Sequence, residues 1–212
     1  MKNSLLVEGK NDELVIKAIC QKTKIDQTFD IREHDDKFEK SGIDNLLDAI
    51  PLVVKTMDGS MRLGIVVDTD YEKGQRWQQL KDRFEKLGYR FPEICPSDGL
   101  ILDASPRLPK LGIWLMPDNA TLGMLETFLK YLIESSDKLQ EKADHILNEI
   151  ERDNINLYDK TIHRDKAFMH TWLAWQTKPG DTLKFAVLRS YLTTNTELCN
   201  RFVSWLNRLF NE

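Results

Sequence analysis

Three short stretches of the chain are almost purely apolar: Ser4-Leu5-Leu6-Val7, Leu63-Gly64-Ile65-Val66-Val67 and Leu111-Gly112-Ile113-Trp114-Leu115. Runs of this length without alternation fit strands buried on both faces of a parallel sheet. The intervening segments carry helical spacing. Leu14, Val15, Ala18 and Ile19 predict a helix opening near Asn11. Ile43, Leu46, Leu47, Ile50, Val53 and Val54 predict another over 43–57, with Pro51 breaking or kinking it so that its first half forms a separate turn. Trp77, Leu80, Phe84 and Leu87 predict a third over 74–87, ended by Gly88. Their stripe reads as core. Phe29-Asp30-Ile31-Arg32-Glu33 alternates as a short second strand, followed by the polar loop His34-Asp35-Asp36-Lys37. Turn signals flank a short hairpin at Gly99-Leu100-Ile101-Leu102. The last strand leads through Met116-Pro117-Asp118-Asn119 into a helix over 121–134.

From Ser135 onward the strand signal ceases. Leu139, Ala143, Ile146, Leu147 and Ile150 mark one face of a long helix. An aromatic helix over 167–175 reaches Thr177 and stops at Lys178-Pro179-Gly180. Two more helices follow over 183–192 and 196–210, with Trp205, Leu206, Leu209 and Phe210 turned back onto the domain. The order predicts an α/β domain over 1–134, its mostly parallel central sheet flanked by helices, and a helical C-terminal part over 135–212 packed on it.

The strands end in carboxylates. The central run stops at Asp68-Thr69-Asp70, and residues two apart on an extended chain point the same way. Open α/β sheets place ligands beyond such strand ends. Two like charges held together need a cation or a shared proton, and a hard divalent ion is the economical partner. The bland alternative is that both acids shape a turn or cap the next helix. The first strand repeats the arrangement: Val7-Glu8-Gly9 leads into Asp12 on the first helical turn, where an acid also suits the helix N-terminus.

The ordered pair Val7-Glu8-Gly9-x-x-Asp12 and Asp68-x-Asp70 resembles the Toprim domain of topoisomerases, primases, recombination proteins and OLD-family nucleases. The resemblance covers roughly the first 130 residues, and the whole chain is similar to small stand-alone bacterial Toprim-like proteins related to the OLD branch. It implies a Toprim-like fold and a metal site built from Glu8, Asp12, Asp68 and Asp70. It also implies a late acid after the final strand. Glu126 matches that acid by position, and Asp118 is its rival. A lysine C-terminal to the acids is implied as well. Lys166, expected at the start of the aromatic helix, is the candidate beside a surface reading. His163 and Arg164 are candidate phosphate ligands. His34, His145 and His170 form no metal-ligand spacing.

Composition narrows this picture. The 212 residues, 41% hydrophobic and 30% charged, describe an ordinary globular chain with room for a full core. A net charge of −4 argues against strong nonspecific binding to nucleic acid, while leaving room for a local basic patch. Cys20, Cys95 and Cys199 are scattered and odd in number, which suggests a reducing compartment. No apolar run is long enough to span a bilayer. The expectation is a cytoplasmic protein.

The expected activity is metal-dependent hydrolysis of nucleic-acid phosphodiesters, with DNA favoured over RNA and one or two Mg²⁺ or Mn²⁺ ions as cofactor. Glu8 serves as metal ligand or general acid/base, and Lys166 stabilises developing charge. Phage defence or DNA repair follows from the resemblance alone. The chain has no room for topoisomerase machinery. Tyr71-Glu72 departs from the Asp-x-Asp-x-Thr pattern of haloacid-dehalogenase-like phosphatases. A phospho-receiver would need neither the Val-Glu-Gly start nor the helical C-terminal part. The main alternative is a non-catalytic binding or regulatory module, holding a structural metal and meeting a protein partner or a second copy through its C-terminal helices.

Overall fold

The computed structural model describes residues 3–33, 42–69 and 74–212. The expected loop His34 to Lys37, together with Asp70, Tyr71 and Glu72, lies outside the described residues. The first half alternates strand and helix: β1 (Ser4–Val7), α1 (Lys10–Thr23), β2 (Asp30–Glu33), α2 (Gly42–Lys55), β3 (Arg62–Asp68), α3 (Gln75–Glu85), β4 (Leu100–Leu102) and β5 (Lys110–Met116). Helices follow: α4 (Leu125–Lys130), α5 (Lys138–Arg152), α6 (Lys160–Ala174), α7 (Leu183–Leu188) and α8 (Glu197–Phe210). The chain is a mixed α/β protein, and its described residues form one five-stranded sheet in the order β2-β1-β3-β5-β4. Only β4 runs antiparallel, pairing Leu100 with Ile113 at the sheet edge.

The sheet is buried on both faces, as its apolar runs require. One face, with Leu6, Ile65, Val67 and Ile113, packs on α2 and α3. The other, with Leu5, Val66 and Trp114, shares a core with α1, α4 and the C-terminal helices through Phe128, Phe168, Phe202, Trp205 and Phe210. Helix α8 lies directly on β3 and β5, where Gly64 and Gly112 stand side by side in the register. A Cβ on Gly64 would come within 3.1 Å of Leu209, and one on Gly112 would collide with the same side chain.

Three expected elements change on folding. Helix α2 runs unbroken through Pro51. The hydrogen bond that Pro51 cannot donate is outweighed by burial of Leu46, Leu47, Ile50 and Val54 along one stripe. The helix expected over 121–134 shrinks to α4, because residues before Leu125 are tied into a loop. Helix α6 begins at Lys160 behind the N-cap Asp159, so Lys166 sits in its second turn and not at its start. Among the described residues, no helix is long and apolar enough to cross a membrane.

Candidate functional site

The chain leaves β1 toward β2 on one side, and β3 toward β5 on the other. The C-terminal ends of β1 and β3 therefore form the topological switch point where α/β sheets open a crevice. Glu8 follows β1 and Asp68 ends β3. The Asp68 amide donates to Glu8 Oε2 at 3.4 Å. Helix α2 closes against this turn: a Cβ on Gly42 would lie 2.6 Å from the Glu8 carbonyl oxygen, so only glycine permits the approach.

Asp68 is held from two sides. Its Oδ1 accepts from the Leu125 amide, the first of α4, at 3.0 Å. Its carbonyl accepts from Arg76 Nε at 3.2 Å. Unsatisfied amides at a helix N-terminus favour an anion, so α4 fixes the Asp68 carboxylate. Thr69 locks the arrangement. Its hydroxyl lies 2.9–3.1 Å from the carbonyls of Met116, Thr121 and Gly123 and accepts from the Gly123 amide at 2.8 Å. This staple carries the loop after β5 to the end of β3 and places α4 beside the acids. The Asp-x-Asp reading left Thr69 without a role, and no pattern in the chain pairs it with residues some 50 positions away.

Asp12 is buried against like charge. It is 8% exposed, and its Oδ1 has no hydrogen-bond partner among the described residues. Burial pushes its carboxyl up to about 7, with the Glu8 charge and then the Glu126 charge adding to the shift. The amides of Asp12 itself and Gly9 pull weakly the other way. The sequence pattern allowed a simple helix-favouring acid here, but desolvation and like charge dominate the helix-end contribution.

Glu126 is buried in the first turn of α4, and Lys166 Nζ stands 3.7 Å from its Oε1. Lys166 is brought there by α6, which is bound to α4 through Thr127 Oγ1 donating to Asp165 at 2.6 Å and Lys130 paired with Asp165 at 3.7 Å. Asp118, the rival acid, is spent in its own turn, where Oδ1 accepts from the amides of Ala120 and Thr121. Arg164, a candidate phosphate ligand, is engaged by α5. It spans α5, meeting Asp144 at 3.1 Å, Asn148 at 2.8 Å and Glu151 at 3.3 Å. His163 and His170 are exposed on α6.

Glu8, Asp12, Asp68 and Glu126 thus share one rim, with Lys166 beside them, while Asp70 lies outside the described residues. Their donors are hard oxygens suited to Mg²⁺ or Mn²⁺, and the orphaned Asp12 oxygen is a donor with no hydrogen-bond partner among the described residues. Among the described residues, no three acids, histidines or cysteines stand close enough together to form a ready-made metal centre. The donor set fits a divalent cation in kind, and its side chains would have to draw inward to hold one.

Comparison with curated proteins finds no match, and comparison with solved structures finds none either. One family model spans residues 2–211, almost the whole chain, and the chain belongs to that family, described as Protein of unknown function (DUF3226).

Proposed function

We propose that this chain is a Toprim-type, metal-dependent hydrolase of nucleic-acid phosphodiesters. The observation that carries the reading is that Glu8 and Asp68 meet at the β1/β3 switch point, while the buried Asp12 feels the charges of Glu8 and Glu126, and Lys166 stands beside Glu126. Glu8, Asp12, Asp68 and Glu126 would hold one or two divalent ions together with Asp70. What the ion supplies when bound is Lewis-acid polarisation of a phosphoryl oxygen and a more acidic attacking water. Glu8, on a turn rather than inside a helix, would accept a proton from that water. Lys166 offers a cation that is half-exposed and still within reach of the buried acids. It stabilises charge developing on the phosphate or the leaving oxygen. DNA is the substrate favoured for assay. The cytoplasm is the compartment that suits free cysteines, of which Cys20 and Cys199 are buried.

A non-catalytic module is favoured by a different observation: between α5 and α6, Ile155 is 66% exposed and Leu157 fully exposed, as on a partner surface. One experiment separates the readings. Thermal unfolding of the wild type and of Asp68→Ala/Asp70→Ala is followed during Mg²⁺ and Mn²⁺ titration, beside cleavage assays on single- and double-stranded DNA and RNA. The wild type should gain about 2.7 kcal/mol at a hundredfold excess over Kd, and should cleave. The double variant should do neither. Cleavage that survives in the purified double variant overturns the proposal.

A further inference from the structure

Helix α6 divides its charges between its sides. Asp165 turns to α4, where Thr127 and Lys130 hold it, and Arg164 turns to α5, where Asp144, Asn148 and Glu151 hold it. Phe168, Met169 and Trp172 fill the core side between them. The remaining face looks outward. Lys160, His163, Lys166 and His170 recur there at intervals of three and four residues, the spacing that stacks side chains along one face of a helix. All four are exposed, and Ala167 and Ala174 beside them add neither bulk nor charge.

The acids nearby are committed elsewhere. Asp165, the one acid within α6, is bound to α4, and Asp159, which precedes the helix, accepts from the Thr161 amide at 2.8 Å. The charged groups that α4 and α5 direct at α6 are Glu126, Lys130, Asp144 and Glu151, and each is engaged by Lys166, Asp165 or Arg164. Lys160, His163 and His170 have no side-chain partner among the described residues. A chain of net charge −4 thus keeps, on one helix, an unopposed stripe about 15 Å long at 1.5 Å per residue. Lys166 joins this stripe to the acid rim, its Nζ 3.7 Å from Glu126, and His163 and His170 stand one turn to either side of it.

Such a stripe suits a linear polyanion. Lysine supplies a point charge, an imidazole keeps at least one N–H donor whether or not it is charged, and the phosphate oxygens of a nucleic-acid backbone accept from both. A compact anion needs donors that converge on one point, whereas these are strung along an axis. We infer that the outward face of α6, with Lys160, His163 and His170 around Lys166, is the track on which the nucleic-acid backbone lies as it passes the acid rim. The inference rests on the proposed phosphodiester hydrolysis and names where that substrate is held outside the reacting phosphate. Contacts of this kind position the strand without reading its sequence.

The test is fluorescence anisotropy with a labelled DNA single strand and the matching duplex, in Ca²⁺, which takes the same hard oxygen ligands, across a salt series. Wild type, Lys160→Ala, His163→Ala/His170→Ala and Lys86→Ala are compared, and Lys166 stays in place. Lys86 is an exposed lysine at the end of α3, on the other face of the sheet, and so controls for net charge. Every replaced side chain is exposed, so the variants are compatible with folding. The wild type should bind with an affinity that falls steeply with salt, and Lys160→Ala should reduce the slope of log K against log[salt] by about 0.7–0.9. The double histidine variant should bind about tenfold more weakly, and Lys86→Ala should match the wild type. Each variant should keep the wild-type thermal shift with Mg²⁺ alone. No binding of either DNA, stripe variants that bind like the wild type, or a loss in Lys86→Ala equal to that in Lys160→Ala would overturn the inference. Cleavage is read separately: stripe-dependent binding without cleavage refutes the hydrolase and keeps the track as a nucleic-acid surface, and cleavage with stripe-independent binding does the reverse.

Discussion

Replacing Asp12 by asparagine removes a charge while keeping the shape of the side chain. The carboxyl is raised from 3.8 to about 7 in the folded protein, by burial first and then by Glu8 and Glu126. Below pH 3.8 both folded and unfolded chains carry the proton, and Asp12 makes no difference to stability. As pH rises toward 7, the unfolded chain releases its proton and the folded chain keeps it. Stability is lost across this window because the unfolded state binds fewer protons. Three units at 1.36 kcal/mol each set an upper bound of roughly 4 kcal/mol on the penalty at pH 8.

Asp12→Asn should therefore be nearly neutral at pH 4 and stabilising at pH 8. For a chain of this size each kcal/mol moves Tm by about 2–4 °C, so a gain of roughly 2–4 kcal/mol is easily read in thermal or urea unfolding. Mg²⁺ should narrow the gap at pH 8, since a cation among the acids favours the charged wild-type side chain. A difference that does not vary with pH, or a variant less stable at pH 8, would refute the assignment of strain to Asp12.

Other substitutions separate the parts of the site. Lys166→Gln should lower kcat/KM for cleavage by about two orders of magnitude, with an unchanged Mg²⁺ shift in thermal unfolding. Gly42→Ala should destabilise by about 1–3 kcal/mol in urea unfolding, because the added methyl meets the Glu8 carbonyl oxygen at 2.6 Å. Helix propensity alone predicts the opposite sign. Glu126→Gln should weaken the Mg²⁺ response and lower the Asp12 pKa followed by NMR, whereas Asp118→Ala should cost about 1 kcal/mol through its lost turn and leave both readouts intact.

What the chain reveals of itself depends on how far apart its interacting residues lie. The parallel strands and the acids at their ends were legible, since an apolar run and the residue following it are contiguous. Glu8 and Asp68 could be paired in advance because both end strands of a sheet whose ligands gather at one edge. The stretch Gly99 to Leu102 read as a short hairpin, whereas Leu100–Leu102 is one edge strand whose antiparallel partner is the distant β5. Continuity of α2 through Pro51 was not, because local backbone rules carry no record of the sheet face that rewards its stripe. The choice between Glu126 and Asp118 was closed to sequence for the same reason. Both are acids after β5, and the difference is made by Thr69, which draws the loop inward from across the sheet.

Arg164 shows the intermediate case. It read as a phosphate ligand in a basic cluster, yet Asp144, Asn148 and Glu151 recur at helical spacing on α5 and form a polar stripe that a facing cation would seek. That stripe was visible, but its partner was not, since the α5–α6 turn determines which side chain of α6 meets it. The same turn decides the placement of Lys166. With Arg164 held to α5 and Asp165 to α4, the next residue of the helix is carried around toward Glu126. A cation beside Glu126 is thus a consequence of how its two neighbours are anchored. Loosening that anchor with Asp165→Asn should reduce cleavage in the same way as removing Lys166, while Lys166 itself remains in the chain.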